Sequence, residues 1–182
     1  CGIGTAEETR RLTKSLLKNA TVPIILDDGG INNICDNTDI IKEVKNKIIL
    51  TPHPAEMARL LHCTTEEVQN DRFKACEKFI SMYPGAVLVL KGAGTIIASK
   101  EKIAVSENGN PGMSCGGSGD VLSGIIASFL TQGISPYDSA VLGVAVHNKA
   151  GDIASQKYSM HSMLPTDIIE CLGDVFKVYE KI

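Results

Sequence analysis

The sequence lacks the features that mark several other classes of protein. Its six cysteines include no CxxC pair, the arrangement on which zinc ribbons and dithiol redox sites depend. Its 18 lysines and arginines do not outnumber its 21 aspartates and glutamates, so no basic surface for nucleic acid is expected. No apolar run reaches the roughly 18 residues that cross a bilayer, and no basic and then apolar leader opens the chain. We therefore expect a cytoplasmic protein with free thiols that binds neither nucleic acid nor a membrane.

Internal repeats, heptads, low-complexity tracts and long linkers are absent as well, which argues against a second domain. The 182 residues, of which 43% are hydrophobic, are enough for one domain with a sizeable core. The sequence also contains no GxxxxGK[ST] phosphate loop. A nucleotide would therefore need a different kind of anion site.

Short apolar runs alternate with segments of helical periodicity, which is typical of a parallel sheet flanked by helices. The pattern predicts strands at 23–27, 47–51, 86–91, Ile96–Ala98 and Ile103–Val105, the last two paired as a hairpin. Asp27 lies at the carboxyl end of the first strand, where ligands of open α/β sheets collect. An aspartate at that position also commonly forms a turn, so both interpretations stay open.

Helix starts are marked by capping residues and by proline. Two capping-box patterns, Thr5 with Glu8 and Thr64 with Glu67, each precede a helical segment, and the second helix is predicted to run to about Met82. The first of these helices has an apolar face made by Leu12, Leu16 and Leu17. Further helices are predicted to begin near Pro54, Ser118, Pro136 and Pro165.

The segment NPGMSCGGSGD at 110–120 is the most informative stretch of the chain. Its glycines let backbone N–H groups approach an anion, and a helix beginning near Ser118 would add the positive end of its dipole. Asp120 then lies beside the anion site, where a carboxylate suits a base or a metal partner. The simpler alternative is that Asp120 only stabilises the helix dipole.

Four segments, in this order along the chain, resemble the ribokinase-like NAD(P)H-hydrate dehydratases: TPHPAEM from Thr51, KGAGT from Lys91, NPGMSCGGSGDVLSG from Asn110 and AVHNKAGD from Ala145. The resemblance covers nearly the whole chain. It implies an α/β, ribokinase-like three-layer αβα fold with a mostly parallel central sheet. It also implies a lyase that uses ADP or ATP with Mg²⁺ to dehydrate NADHX or NADPHX, the hydrated forms of NADH and NADPH, in a homo-oligomer such as a tetramer.

The resemblance further implies a role for three groups of residues, and it assigns no protein ligand to a metal. Asp120 is the catalytic base. The substrate-side residues are Gly4, His53, Pro54, Ala55, Glu56, Met57, Ala58, Arg59 and Asp120. The nucleotide-side residues are Lys91, Gly92, Ala93, Gly94, Thr95, Asn110, Pro111, Gly112, Met113, Ser114, Cys115, Gly116, Gly117, Ser118 and Gly119.

Three of the residues in these motifs also have simpler explanations. Glu56 is placed to cap its own helix, and Lys91 can be a solvated lysine at the end of a strand. His147 falls within an apolar helical pattern, so we expect a buried histidine with satisfied hydrogen bonds rather than a catalyst or a metal ligand.

The chain departs from the family's pattern at one position and matches only part of it at another. Where the family commonly has DADxxN, this chain reads DDGGIN, so Gly29 replaces a carboxylate while Asn32 matches. The opening CGIGT resembles the second half of the family's GxGxG turn. The resemblance therefore implies that residues 1–182 form a single ribokinase-like domain without its N-terminal portion.

Two other functions remain open at the level of sequence. A vitamin-precursor kinase of the same superfamily would use the same aspartate-containing loop but stop at the phosphorylated product. A noncatalytic nucleotide-binding subunit would keep the loop without the chemistry, although the intact Asp120 argues against a degenerate site.

Overall fold

The computed structural model describes residues 1–180. The chain forms two compact units, Cys1–Val105 and Ser106–Ile182, and we describe each by itself.

A five-stranded mixed sheet forms the centre of the first unit. Its strands are β1 (Ile24–Leu26), β2 (Ile48–Leu50), β3 (Ala86–Leu90), β4 (Ile96–Ala98) and β5 (Ile103–Val105), arranged in the order of the sequence. The strands β1, β2 and β3 are parallel, whereas β3, β4 and β5 are antiparallel. The predicted α/β class and the predicted hairpin of β4 and β5 are confirmed. Every residue of β2, β3 and β4 is buried, which explains their continuous apolar sequence.

The helices of the first unit are α1 (Glu7–Asn19), α2 (Asp28–Asn32), α3 (Pro54–Leu61), α4 (Thr65–Asn70) and α5 (Arg72–Met82), with a 3-10 helix at Thr38–Glu43. The predicted single helix from Thr64 to Met82 is wrong, because the chain breaks at Asp71. There φ is −148°, and the Asp71 side chain accepts a hydrogen bond from the N–H of Lys74. A second capping residue therefore starts a new helix.

The predicted capping box at Thr5 and Glu8 is also wrong. The N-cap of α1 is Ala6, one residue later, and its side chain makes no capping hydrogen bond. The apolar face of α1 is only partly covered: Leu17 is buried, whereas Leu12 and Leu16 are 56% and 57% exposed. The core of the first unit is therefore built mainly from the strands, α3 and α5, and it includes the large buried side chains of Met57, Leu60, Phe79, Tyr83 and Leu88.

The second unit consists of helices. After a 3-10 turn at Pro111–Met113 come α6 (Ser118–Thr131), α7 (Pro136–Tyr158), α8 (Pro165–Glu170) and α9 (Leu172–Tyr179). Gly143 of α7 lies against Ile126 of α6, where a Cβ atom would collide with the isoleucine. The missing side chain thus lets the two longest helices approach closely. Apolar residues of α6 to α9 form a separate core that includes Ile125, Ala150, Ile168, Cys171 and Val175.

All six cysteines are free thiols, as expected from their spacing. None of the helices in the described part of the chain is both long and apolar enough to cross a membrane.

Candidate functional site

Three charged side chains meet where the parallel strands of the first unit end. Asp27 follows β1, Glu56 lies in the first turn of α3 after β2, and Lys91 follows β3. The Lys91 Nζ atom lies 2.6 Å from Asp27 Oδ1 and 4.0 Å from Glu56 Oε2. Parallel strands bring their carboxyl ends to one edge of the sheet, which explains how residues this far apart in sequence come together.

This ion pair is largely shielded from water. The side chains of Asp27, Glu56 and Lys91 are 2%, 1% and 21% exposed. Burial of Asp27 raises its pKa, but the charge of Lys91 and hydrogen bonds from Lys91, Thr51 and the backbone at Asp28 outweigh it, so the net pKa lies below the usual value. Asp27 is therefore a carboxylate held in its charged form.

The N-terminus of α3 is a reciprocal capping box. The Nδ1 atom of His53 accepts hydrogen bonds from the N–H groups of Ala55 and Glu56, at 3.2 and 3.4 Å. In return, Glu56 Oε2 accepts from the N–H of His53 at 2.8 Å. Pro54 occupies the first helical position, where its missing N–H costs nothing. The His53 ring is about half exposed, and its Nε2 atom lies 3.5 Å from Glu56 Oε1.

The remaining substrate-side residues of α3 divide by burial. Met57 and Ala58 are buried in the core, which leaves no exposed surface of their side chains for a ligand. Arg59 donates a hydrogen bond from Nη1 to Asn32 Oδ1 at 2.7 Å. That contact links α3 to α2 and involves the asparagine that matches the family's pattern.

Gly4 lies close to the position where this chain lacks the family's carboxylate. Its carbonyl oxygen accepts a hydrogen bond from Asn33 Nδ2 at 3.0 Å, and its φ of +70° suits glycine. A Cβ atom at Gly29 would lie 3.3 Å from both the nitrogen and the oxygen of Gly4. The backbone of residue 4 therefore occupies space that a carboxylate at position 29 would need.

The loop between β3 and β4 contains the first group of predicted nucleotide residues. The φ angles of Gly92 and Gly94 are +139° and +65°, and the Thr95 hydroxyl closes the loop by donating to the Gly92 carbonyl at 3.0 Å. The Lys91 side chain turns to Asp27 instead of lying along the loop. A nucleotide contact through the Lys91 ammonium stays a prediction, and the loop offers its backbone N–H groups in addition.

In the second unit, the glycine segment leads into α6 as the sequence predicted. The helix begins at Ser118, and its N-cap, Gly117, has a φ of +97° and no capping side chain. The space beside Gly116 is open, because a Cβ atom there would have no neighbour within 4 Å. The N–H of Ser118 donates to the Cys115 carbonyl at 3.2 Å, whereas within residues 1–180 the N–H groups of Gly119 and Asp120 have no backbone acceptor and are left for a ligand. The exposed Asp120 side chain lies in that same turn.

Side chains of α7 hold the start of the glycine segment in place. Asn110 Nδ2 donates to the Gly151 carbonyl at 3.0 Å and to Asp152 Oδ1 at 3.1 Å. Asp152 Oδ2 accepts from the N–H of Gly109 at 3.3 Å, and Asn148 Nδ2 donates to the Asn108 carbonyl at 2.8 Å. These contacts fix residues 108–110 on a long, rigid helix.

The buried His147 also supports this segment. Its Nε2 atom lies 3.3 Å from the Oγ atom of Ser118, the first residue of α6. This agrees with the expectation of a buried, hydrogen-bonded histidine. The position of the α6 N-terminus is thus tied to α7.

Asp120 borders a groove of about 520 Å³ that runs along α6. The walls are mainly apolar and are formed by Val121, Ile125, Phe129, Ile169, Leu172 and Phe176. The Asp120 carboxylate therefore lies between the polar N-terminus of α6 and the apolar groove.

Sequence reasoning missed the supporting roles of Arg72, Asn148 and Asp152. The last two lie within the AVHNKAGD segment, so the motif itself was a signal that they matter. Arg72 carries no local signal, because its partners in the β3–β4 loop lie 18 to 21 residues away.

Charged residues at the carboxyl edge of a sheet, and a glycine loop before a helix N-terminus, are each typical of α/β proteins that bind nucleotides. The structure superposes with a TM-score of 0.85 on an ADP/ATP-dependent NAD(P)H-hydrate dehydratase from Bacillus subtilis, co-crystallised with ATP and Mg²⁺. The two are 26% identical, over 98% of this chain and 62% of that one. The predicted ribokinase-like α/β fold is confirmed.

Residues 1–173 match the model of the NAD(P)H-hydrate dehydratase family, and the chain belongs to that family. It is 38% identical to the bifunctional NAD(P)H-hydrate repair enzyme Nnr of Moorella thermoacetica, over 99% of this chain and 34% of the relative. It is 40% identical to the ADP-dependent (S)-NAD(P)H-hydrate dehydratase of Neisseria meningitidis, over 86% of this chain and 54% of the relative. The chain thus spans about a third to a half of the length of these relatives.

Proposed function

We propose that this protein dehydrates NADHX or NADPHX to NADH or NADPH at the expense of ADP or ATP. Family membership supports the proposal, and one structural observation carries it. The N-terminus of α6 has no capping side chain, its N-cap is a glycine with positive φ, and Asp120 lies in its first turn. Such an arrangement suits a transferring phosphoryl group beside a base.

The reaction proceeds in two stages. The hydroxyl oxygen of the hydrated ring attacks the terminal phosphorus of the nucleotide while Asp120 accepts the hydroxyl proton. The bond from that phosphorus to the bridging oxygen breaks, and AMP or ADP leaves. The ring carbon–oxygen bond then breaks, phosphate departs with the electron pair, and loss of a proton from the neighbouring carbon restores the dihydropyridine.

The residues of the chain divide this work. The N–H groups of Gly116, Gly117 and Gly119 stabilise negative charge on the phosphoryl group, aided by the α6 dipole. We propose that the exposed ring of His53 and the Arg59 guanidinium, held by Asn32, contact the hydrated nucleotide.

The donor set also suits Mg²⁺, which usually binds through one or two carboxylates together with substrate phosphates. The exposed Asp120 carboxylate lies at the α6 N-terminus and could hold the ion there. When bound with the nucleotide, Mg²⁺ neutralises charge on the phosphates.

The test follows the NADH absorbance of purified protein mixed with NADHX and either ADP or ATP. We expect Asp120→Asn to bind nucleotide as the wild type does but to lose roughly 100-fold or more in rate, because the amide cannot accept the proton. Asp138→Asn is the matched control, since Asp138 also lies in a first helical turn, that of α7, and its side chain accepts from Ser135. Near-wild-type turnover of the folded Asp120 variant would refute the role of Asp120.

The same mixture separates the alternative functions. A vitamin-precursor kinase would phosphorylate hydroxymethylpyrimidine without consuming NADHX, and a noncatalytic subunit would bind nucleotide and turn over neither substrate. Among the three, the Asp120 position favours the catalytic ones, since a binding subunit has no use for a carboxylate beside a phosphate.

The single-domain organisation, the homo-oligomeric state and the cytoplasmic location remain proposals. Size exclusion with light scattering measures the oligomeric state, because a tetramer has four times the mass of the 19.4 kDa chain.

A further inference from the structure

Arg72 makes a set of contacts that the proposed reaction does not use. It is the first residue of α5 and follows Asp71, whose side chain caps that helix. Its Nη2 atom donates to the carbonyl oxygens of Leu90, at 2.9 Å, and of Lys91, at 3.2 Å. Its Nη1 atom donates to the carbonyl oxygen of Ala93. One guanidinium therefore holds three carbonyl groups at the start of the β3–β4 loop.

Peptide geometry fixes what these contacts do to the other side of each peptide bond. In a trans peptide, the C=O of one residue and the N–H of the next point in opposite directions, and the described chain contains no cis peptide. The carbonyl groups of Lys91 and Ala93 point at Arg72. The N–H groups of Gly92 and Gly94 consequently point away from Arg72.

The outward N–H groups are available to a ligand. Within residues 1–180, the N–H groups of Gly92 and Gly94 donate to no backbone acceptor. The N–H of Lys91, by contrast, donates to the Pro52 carbonyl at 2.9 Å and ties the start of the loop to the β2 side of the sheet. Successive N–H groups presented by a turn form a concave site for anionic or acceptor atoms.

Glycine is needed at this loop for a reason of space as well as of backbone angle. A Cβ atom at Gly92 would lie 3.2 Å from Nη2 of Arg72, and the φ of +139° is rare for any other residue. The guanidinium and Gly92 therefore fit together as a pair.

We propose that Arg72 is a positioning residue, which holds the carbonyl groups of Lys91 and Ala93 so that the N–H groups of Gly92 and Gly94 face acceptor atoms of the nucleotide. The inference rests on the proposed function, and on the prediction from the sequence that the loop from Lys91 to Thr95 contacts the ADP or ATP that this function uses. Lysine substitutes only in part, because a single ammonium lacks the planar fork that spans several carbonyl groups.

The test compares Arg72→Met, Arg72→Lys and the control Arg11→Met. Arg11 is an exposed arginine of α1 that pairs with Glu7 one turn away. We expect the Kd of ADP, measured by calorimetry, to rise about 10- to 100-fold in Arg72→Met. The KM of NADHX should change less than about twofold, since its proposed residues do not touch Arg72. Arg72→Lys should recover part of the affinity, and Arg11→Met should match the wild type.

Hydrogen exchange gives a readout that does not depend on turnover. ADP should slow exchange of the Gly92 and Gly94 amides in the wild type and fail to do so in Arg72→Met. Unchanged ADP affinity in the folded Arg72→Met variant, or equal losses for both ligands, would overturn the inference and leave the proposed function standing.

Two further outcomes are also decisive. A wild-type protein that binds neither ADP nor ATP would overturn the proposed function and the inference together. If Arg72→Met does not fold, Arg72→Lys decides alone: we expect at least about a threefold rise in the Kd of ADP, and no rise would overturn the inference.

Discussion

Replacing Lys91 with methionine tests the charged cluster at the sheet edge. The change removes the cation 2.6 Å from Asp27, whose side chain is 2% exposed, while keeping most of the side-chain volume. Removing one partner of a buried ion pair generally costs about 3–5 kcal/mol. Here Lys91 is partly exposed, and Asp27 keeps its hydrogen bonds from Thr51 and the backbone at Asp28. We therefore expect a loss of about 2–3 kcal/mol at neutral pH.

The loss should depend on pH with a defined sign. In the wild type, the pKa of Asp27 lies below its usual value of 3.8, so the carboxylate contributes stability above that value and loses it as the pH falls through the folded-state pKa. Without Lys91, burial dominates and raises the pKa of Asp27. In the variant, protonation of Asp27 removes the unpaired buried charge as the pH falls. The difference in unfolding free energy between the variant and the wild type should therefore shrink between about pH 7 and pH 5.

Urea denaturation at the two pH values measures the effect. Asp27→Asn combined with Lys91→Met should recover most of the stability, because it removes the buried charge as well. Lys18→Met is the control, since the Lys18–Glu43 pair is about half exposed on both sides, and we expect no measurable change. A folded Lys91→Met protein as stable as the wild type, or one whose deficit grows on acidification, would refute this account of the cluster.

Two other predictions concern ligand binding and thiol chemistry. His53→Ala should mainly weaken binding of the hydrated nucleotide. Gly117→Val should mainly weaken binding of ADP or ATP, because a Cβ atom at Gly117 would lie 3.2 Å from Pro165 and its φ is +97°. Titrations in which each variant loses the same affinity for both ligands would contradict this division of the site. Burial raises the pKa of the Cys76 thiol to about 12, so a thiol reagent at about pH 8 should label the exposed Cys1 at once and Cys76 only after unfolding. Mass spectrometry of the labelled peptides shows which of the two cysteines has reacted.

Local features of this structure could be predicted from the sequence because their causes are local. The β4–β5 hairpin follows from two short apolar runs close in the chain, and α6 begins at Ser118 because glycines there give way to a periodic apolar segment. The continuous helix predicted from Thr64 to Met82 failed because Asp71 is also a capping residue. When two helix starts compete within one stretch, periodicity alone does not separate them.

Long-range contacts of the candidate site could not be read in the same way. The motif predicts that Lys91 contacts the nucleotide, which stays a prediction, but it gives no sign that the Lys91 ammonium pairs with Asp27, 64 residues away. Arg72 has no motif at all, and its function depends on carbonyl groups that any sequence would supply. Backbone acceptors leave no trace in side-chain patterns, so a residue that acts through them is found only in three dimensions.

The close approach of Gly4 to Gly29 has a consequence for how this chain can change over time. A Cβ at position 29 would lie 3.3 Å from two backbone atoms of Gly4, so any side chain there requires the backbone at residue 4 to shift by a few tenths of an ångström. Substitutions at positions 4 and 29 are therefore coupled: a change that moves residue 4 makes room for a side chain at position 29, whereas a side chain introduced at position 29 alone is strained against residue 4.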